Sequence, residues 1–318
     1  MSTSGTYAFT VTRDQIIRQA MLEIGRLDPD EVPTANETND CAFKLNMIVK
    51  QWQGKGDFGP GLKVWTRKHG NLFLRSTTGK YTVGPSATGW TLSNVATTTV
   101  AAAGPGAGSI TVASAAGIVI GYSIGVELTS GDLFWTTVSN VVGAAITLNS
   151  VLPSASPLGA QVFCYQTTAQ QPVLIETVVL RDNQGNDTPV RLLTVQDYDN
   201  LPSKVNPTNI SDPAAIYYEF QLGNSNLYTD VAGAQDVTKY LVITFMEPVQ
   251  DFNQALDNPY YPQEYYLALT WGLAKEICPM FKGVWTPLME SLYTAAIAIA
   301  KKKDPERLTI FFQPGNDE

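Results

Sequence analysis

The sequence predicts an α+β protein in which a helical-bundle core with accessory strands is interrupted by an inserted all-β barrel or sandwich. Three observations carry that expectation. From Tyr81 to Ile175 the chain runs 95 residues with two charged side chains, Glu127 and Asp132. The same stretch is rich in Gly, Ala, Ser, Thr and Val, and short β-branched runs alternating with turn residues favour strands. The flanking segments are charge-rich and carry apolar residues at helical spacing. Composition divides the chain into an N-terminal part of the core at 1–84, an inserted β domain at 85–170, a C-terminal part of the core at 171–304 and an extended tail at 305–318.

Two helices open the chain. Thr12 and Gln15 have capping-box spacing, Ile16, Ile17, Ala20, Met21 and Ile24 form one apolar face, and Gly25 supplies a stop. Thr34 and Glu37 repeat the box, followed by Cys41, Leu45, Ile48 and Trp52 at three- and four-residue steps before Gly54. In the insert, short strands are expected at Ser109–Val112, Ser123–Leu128, Leu133–Val138, Ala145–Leu148 and Gln161–Tyr165, with Ser130 and Gly131 as the clearest hairpin turn. Ala101 to Gly108 reads as a loop. Further strands follow at Val173–Leu180, Val190–Leu193, Ile216–Leu222 and Leu241–Met246, the first two joined by a turn over Asp182–Asp187.

The last helical pair begins with Pro262 at the N1 position of a helix running to about Cys278, where Pro279 blocks continuation. Thr286 and Pro287 start the second, which ends in Lys301, Lys302 and Lys303 at the negative end of its dipole. Ala295, Ala296, Ala298 and Ala300 leave little bulk on it, which suits close approach of another helix.

A formal charge of −8 argues against a surface built to grip phosphates. The N-terminus, Met1 to Thr12, lacks the pattern of a signal peptide, and no run approaches the roughly 20 apolar residues of a membrane span, so a soluble, cytoplasmically made chain is expected. Cys41, Cys164 and Cys278 are far apart, without metal-binding or disulfide spacing, and are expected to be buried small hydrophobes.

Several motifs suggest chemistry and fail on context. Gly121 to Gly125 spells GxSxG, but a strand follows and the single histidine, His69, lies upstream. Gly54, Gly56 and Gly59 spell GxGxxG after a helix, and run into Pro60 and Gly61. Asp182 to Asp187 begins like a calcium loop, with Asp187 and Leu193 where Gly and Glu are required. No sequence spacing marks a glycosidase pair of carboxylates, and Glu264 and Glu276 read as solvated helix residues. Lys63, Arg67, Lys68, His69 and Arg75 around Trp65 have the chemistry of a phosphate-contacting patch, and the acidic total favours a solvated strand instead. No catalytic residue, cofactor or metal is expected.

The order of these elements and of certain short motifs resembles a known family. Leu45, Asn46, Met47 and Ile48 leading to Trp52, then Tyr81 to Pro85, resemble the head-to-tail adaptors of short-tailed bacteriophages, also called packaged-DNA stabilisation or tail accessory proteins. The likeness resumes at Arg181, Pro189, Tyr198 and Lys204. It is strongest from Asp257 through Pro262, Gln263 and Glu264 to Ala268, Leu269, Trp271, Leu273 and Ala274, with Pro314 in the tail. Gly125, Val126, Leu128, Gly131 and Trp135 to Val138 resemble a β module of phage tail proteins. The smallest adaptors lack so large an insert.

The resemblance implies a structural virion protein at the head–tail junction, not an enzyme. It implies a homo-oligomeric ring of about twelve subunits, docked under the portal protein and offering its far face to a tail nozzle, other tail proteins or fibres. DNA would pass through the bore during ejection without specific binding, and an acidic chain suits that passage. The expected portal-docking element is the tail, Leu308, Thr309, Ile310, Phe311, Phe312, Gln313 and Pro314, too apolar for a free solvated end and extended in character. The alternative is that it folds back on its own helices. Two other function classes stand beside this one: receptor or glycan binding by the insert, suggested by Trp90, Tyr122, Phe134 and Trp135, and a tail-associated cell-wall hydrolase.

Overall fold

The computed structural model describes residues 5, 9–56, 59–60 and 64–302. The expected helical-bundle core with accessory strands is wrong. The protein is mostly β: two large curled sheets hold 14 strands, and 23% of the chain is helical. The helical periodicity of the flanks was legible because each helix carries its own cap and apolar face. Strands such as Lys80–Val83 or Trp90–Thr91 are too short to show a period and are stabilised by partners distant in sequence. The chain forms two units, Met1–Thr66 with Val249–Glu318, and Arg67–Pro248.

In the first unit, α1 (Arg13–Glu23) and α2 (Ala35–Gln51) begin with the expected capping boxes at Thr12 and Thr34, both reciprocal. A two-stranded ribbon, β1 (Lys55–Gly56) with β2 (Gly59–Pro60), follows. The chain returns through α4 (Tyr266–Ile277) and α5 (Pro287–Lys302). Pro262 does not occupy the first turn of α4. Its ψ of 154° is extended, and a 3-10 turn at Gln263–Tyr265 intervenes. Helix α4 packs against α1, α2 and α5 and buries Ala268 through Ala274 without interruption, as a helix covered on every side requires. Ile17, Met21, Cys41, Leu45, Leu269, Leu273 and Ile277 fill the centre.

The second unit begins with β3 (Arg67–Phe73), β4 (Lys80–Val83) and β5 (Trp90–Thr91). It then builds a six-stranded sheet from β6 (Val95–Thr98), β7 (Ser109–Thr111), β8 (Ser123–Glu127), β9 (Leu133–Val142), β10 (Ala145–Leu148) and β11 (Gln161–Tyr165) in the order β6-β11-β8-β9-β10-β7. A bridge between Thr99 and Val112 joins the first strand to the last, with Val100 N–H donating to Thr111 O at 2.9 Å and Ala113 N–H to Thr98 O at 2.8 Å. The sheet therefore closes on itself around Ile124, Val126, Val138, Ile146 and Val162, and leaves no open edge.

The eight-stranded sheet adds β12 (Leu174–Arg181), β13 (Asp187–Leu193), β14 (Ala215–Glu219), β15 (Ser225–Thr229) and β16 (Tyr240–Met246), in the order β4-β15-β14-β13-β12-β16-β3-β5. Strands β13 and β14 are parallel, and their crossover contains α3 (Val195–Asp199). Gly70 in β3 leaves room for the Trp90 ring, and a Cβ there would lie 2.1 Å from it.

Both lone charges of the 95-residue stretch are tied down. Glu127 accepts from Gln161 N–H at 2.7 Å inside the barrel sheet. Asp132, buried just after Gly131 (φ +76°), accepts from Arg75 Nη2 at 2.8 Å, Ser76 N–H at 3.1 Å and Thr77 Oγ1 at 3.2 Å. It pins the barrel hairpin to the loop that leaves β3. Beside it, Phe73 meets Phe163 at 4.4 Å and Trp135 at 5.3 Å between ring centroids, an aromatic seam joining barrel to sheet.

Burial alone would raise the Asp132 carboxyl, but the Arg75 hydrogen bond and charge with the Ser76 N–H outweigh it and hold the group below the usual carboxylate range. A depressed pKa adds stability above the unfolded value of about 3.9 and loses it as pH falls through the folded value. Asp132→Asn is therefore expected to flatten the acid limb of a denaturant midpoint-versus-pH profile below about pH 4. Asp132→Ala should cost about 2 kcal/mol in chemical denaturation at neutral pH. Gly70→Ala should cost about 1–3 kcal/mol through the Trp90 clash, read as a lowered Tm.

Candidate functional surfaces

The residues that carry the adaptor resemblance at the two ends of the chain meet in the first unit. Leu45 is fully buried on α2. Asn46, one position on, grips the returning chain with both ends of its amide: Nδ2 donates to Phe252 O and Oδ1 accepts from Phe252 N–H, each at 2.9 Å. Trp52 is buried edge-on to Tyr261, with centroids 6.2 Å apart. Pro262 and Glu264 stand at the 3-10 turn ahead of α4. Trp271 packs edge-on against Trp285, whose indole N–H donates to Glu290 at 2.7 Å. Hydrogen bonds from Lys275 and Trp285 hold the Glu290 carboxyl below its usual range. Leu45, Asn46, Trp52 and Trp271 are packing and positioning groups. In the second unit, Lys204 Nζ lies 4.4 Å over the Tyr198 ring and donates to Tyr198 O at 2.6 Å.

Two helices of the first unit also carry apolar residues outward. On α2, Phe43 and Met47 are 67% and 51% exposed. On α5, the exposed Leu288, Leu292, Ala295 and Ile299 follow one another at four, three and four residues, the spacing of a helix–helix seam. The alanine-rich stretch is thus divided: Ala296 and Ala300 are buried in the unit's own core, and Ala295 and Ala298 face out. The predicted docking tail, Leu308, Thr309, Ile310, Phe311, Phe312, Gln313 and Pro314, lies outside the described residues, as do Lys303 and Lys63.

Three cations of the basic run, Arg67, Lys68 and Arg75, each stand in an ion pair. Arg67 pairs with Glu176 on β12 at 2.5 Å, Lys68 with Glu247 at 3.5 Å, and Arg75 with Asp132. His69 Nδ1 is 3.1 Å from Thr244 Oγ1. Trp65 packs against Tyr261 and Tyr265 in the first unit. Arg67 reaches across β16 to its acid and Arg75 finds its own at the barrel hairpin, which one-dimensional charge counting does not reveal.

The remaining motifs resolve as local structure. Ser123 opens strand β8 with no helix after it, and Lys55–Gly56 with Gly59–Pro60 is a ribbon, not a helix start. Asp182 accepts from the Gln184 and Asn186 N–H groups at 2.9 Å each inside a hairpin turn, beside a two-pronged Arg181–Asp187 pair. The three cysteines are buried, and burial pushes the Cys41 and Cys164 thiols up to about 11. Among the described residues no helix is long and apolar enough to cross a membrane.

Of the aromatic residues considered for sugar stacking, Trp90 is fully buried, with its indole N–H on Gln170 O at 3.1 Å, and Tyr122 packs at the barrel core. Phe134 and Trp135 instead line a cleft of about 560 Å³ between the barrel and β4, together with Arg75, Lys80 and Asp132. Its walls come from residues 73–88 and 128–153, and no sequence spacing announces it. Compared with known protein families and curated proteins, the sequence matches no family model and no curated relative.

Asn46→Ala removes both hydrogen bonds to Phe252 and is expected to lower the stability of the first unit by about 1–2 kcal/mol, measured by denaturant melts. Asn46→Asp keeps the acceptor and should lose less.

Proposed function

We propose that the protein is a structural head-to-tail connector of a short-tailed phage virion, assembling as a ring under the portal, extending the DNA channel and supporting tail proteins. The observation that carries this reading is the pair of outward apolar stripes on α2 and α5. Two different exposed stripes on one subunit suit a heterologous contact, in which one face of each copy meets the other face of the next and the series closes into a ring. The sequence resemblance supports it through Leu45, Asn46, Trp52, Pro262, Glu264 and Trp271, which come from opposite ends of the chain and lie within one unit. The net charge of −8 suits a bore that passes DNA without holding it. The tail, with its Leu308 to Pro314 run, is the element we assign to the portal.

Mass photometry of the purified protein, alone and mixed with portal rings, tests the reading. The expected result is a defined complex with many copies per portal. Leu292→Glu with Ile299→Glu should abolish that complex while leaving Tm within about 2 °C, since both side chains already face solvent. Truncation after Lys303 should yield a folded protein that no longer binds portal. Monomer in both samples, with folded portal present, overturns the reading.

A further inference from the structure

We propose that the cleft between the barrel and β4 is a binding site for an acidic sugar unit. The proposal does not rest on the connector reading, whose carrying observation lies in the first unit.

Three features of the cleft point to that chemistry. First, its volume of about 560 Å³ suits one or two sugar rings. Half-buried Phe134 and Trp135 supply apolar surface there for the C–H face of a sugar, and exposed Thr82 and Ser86 supply hydroxyls at the rim.

Second, its charge runs against that of the chain. Two cations, Arg75 and Lys80, line it with one carboxylate, Asp132, in a protein of net charge −8. Asp132 takes Nε and Nη2 of Arg75, while the Arg75 side chain stays 44% exposed, so the other edge of the guanidinium keeps N–H donors for an incoming carboxylate. Lys80 is exposed at the rim, with Nζ 5.3 Å over the ring of Tyr228, whose hydroxyl donates to Glu219, and its long stem lets the ammonium turn from that ring to a ligand.

Third, the Arg75 side of the cleft is set before any ligand arrives. Asp132 holds Arg75, Ser76 and Thr77 together. Tyr81 Oη accepts from Arg75 N–H at 3.0 Å and donates to Thr78 O at 2.9 Å. A loop so restrained loses little freedom on binding. The ligand class that uses all three features is a hydroxylated ring bearing a carboxylate, as in a uronic-acid-containing glycan.

Saturation-transfer NMR and calorimetry on the full chain decide the matter, with oligogalacturonate as probe, a neutral gluco-oligosaccharide as its uncharged counterpart and inorganic phosphate as competitor. The expected result is binding of the acidic oligosaccharide, little or none of the neutral one, and no displacement by equimolar phosphate. Lys80→Ala should weaken binding about tenfold, the loss expected for one charge-assisted contact. Thr82→Val is expected to weaken it less, with Tm unchanged in both variants. Displacement by phosphate would reduce the site to a simple anion hole and overturn the sugar assignment. Equal binding of the neutral sugar, no binding at all, or affinity untouched by Lys80→Ala would each overturn it as well.

Discussion

Asp132 lies in a stretch that contains no cation, so its charge must be answered from outside that stretch once it is buried. Arg75 answers it, with the Ser76 amide and the Thr77 hydroxyl completing the carboxylate's hydrogen bonds. A buried carboxylate with those partners is stable, and without them it would be costly. The arrangement of the second unit around it follows. The barrel hairpin is held to the β3–β4 loop, the aromatic seam of Phe73, Trp135 and Phe163 can form beside it, and a cleft opens with one cationic wall already in place.

The barrel gives a sequence nearly free of charge no strand edge on which another chain could pair. Its strands are short, and its outer strands would otherwise expose unpaired backbone groups. Closure through Thr99 and Val112 removes those edges, and the apolar face of every strand turns inward on one small core. Charged gatekeepers are unnecessary where there is no edge to guard. In the eight-stranded sheet, by contrast, β3 carries cations answered by acids: Arg67 by Glu176 on β12, across β16, and Lys68 by Glu247 just past the end of β16.

The first unit depends on α4, which is covered by α1, α2 and α5 and so has no solvent face of its own along most of its length. That burial holds together segments from both ends of the chain, and it leaves the outer stripes of α2 and α5 as the surplus apolar surface. Surplus of this kind on a subunit is the raw material of assembly.

Local signals decided the helices. Capping boxes at Thr12 and Thr34, the Thr286–Pro287 start and the barrel strands at Ser123, Leu133, Ala145 and Gln161 were legible because hydrogen bonds and side-chain alternation within a few residues specify them. The balance of the fold was not. Strands β4, β5 and β15 are two to five residues long and gain their stability from partners far away in sequence, so the flanks looked helical and the protein is mostly β. The pairing of the β3 cations, the cleft with its Arg75–Asp132 wall and the exposure of one side of α5 were likewise decided by tertiary structure. Which charges meet and which apolar faces stay uncovered depends on distances through space, and a sequence records only distances along the chain.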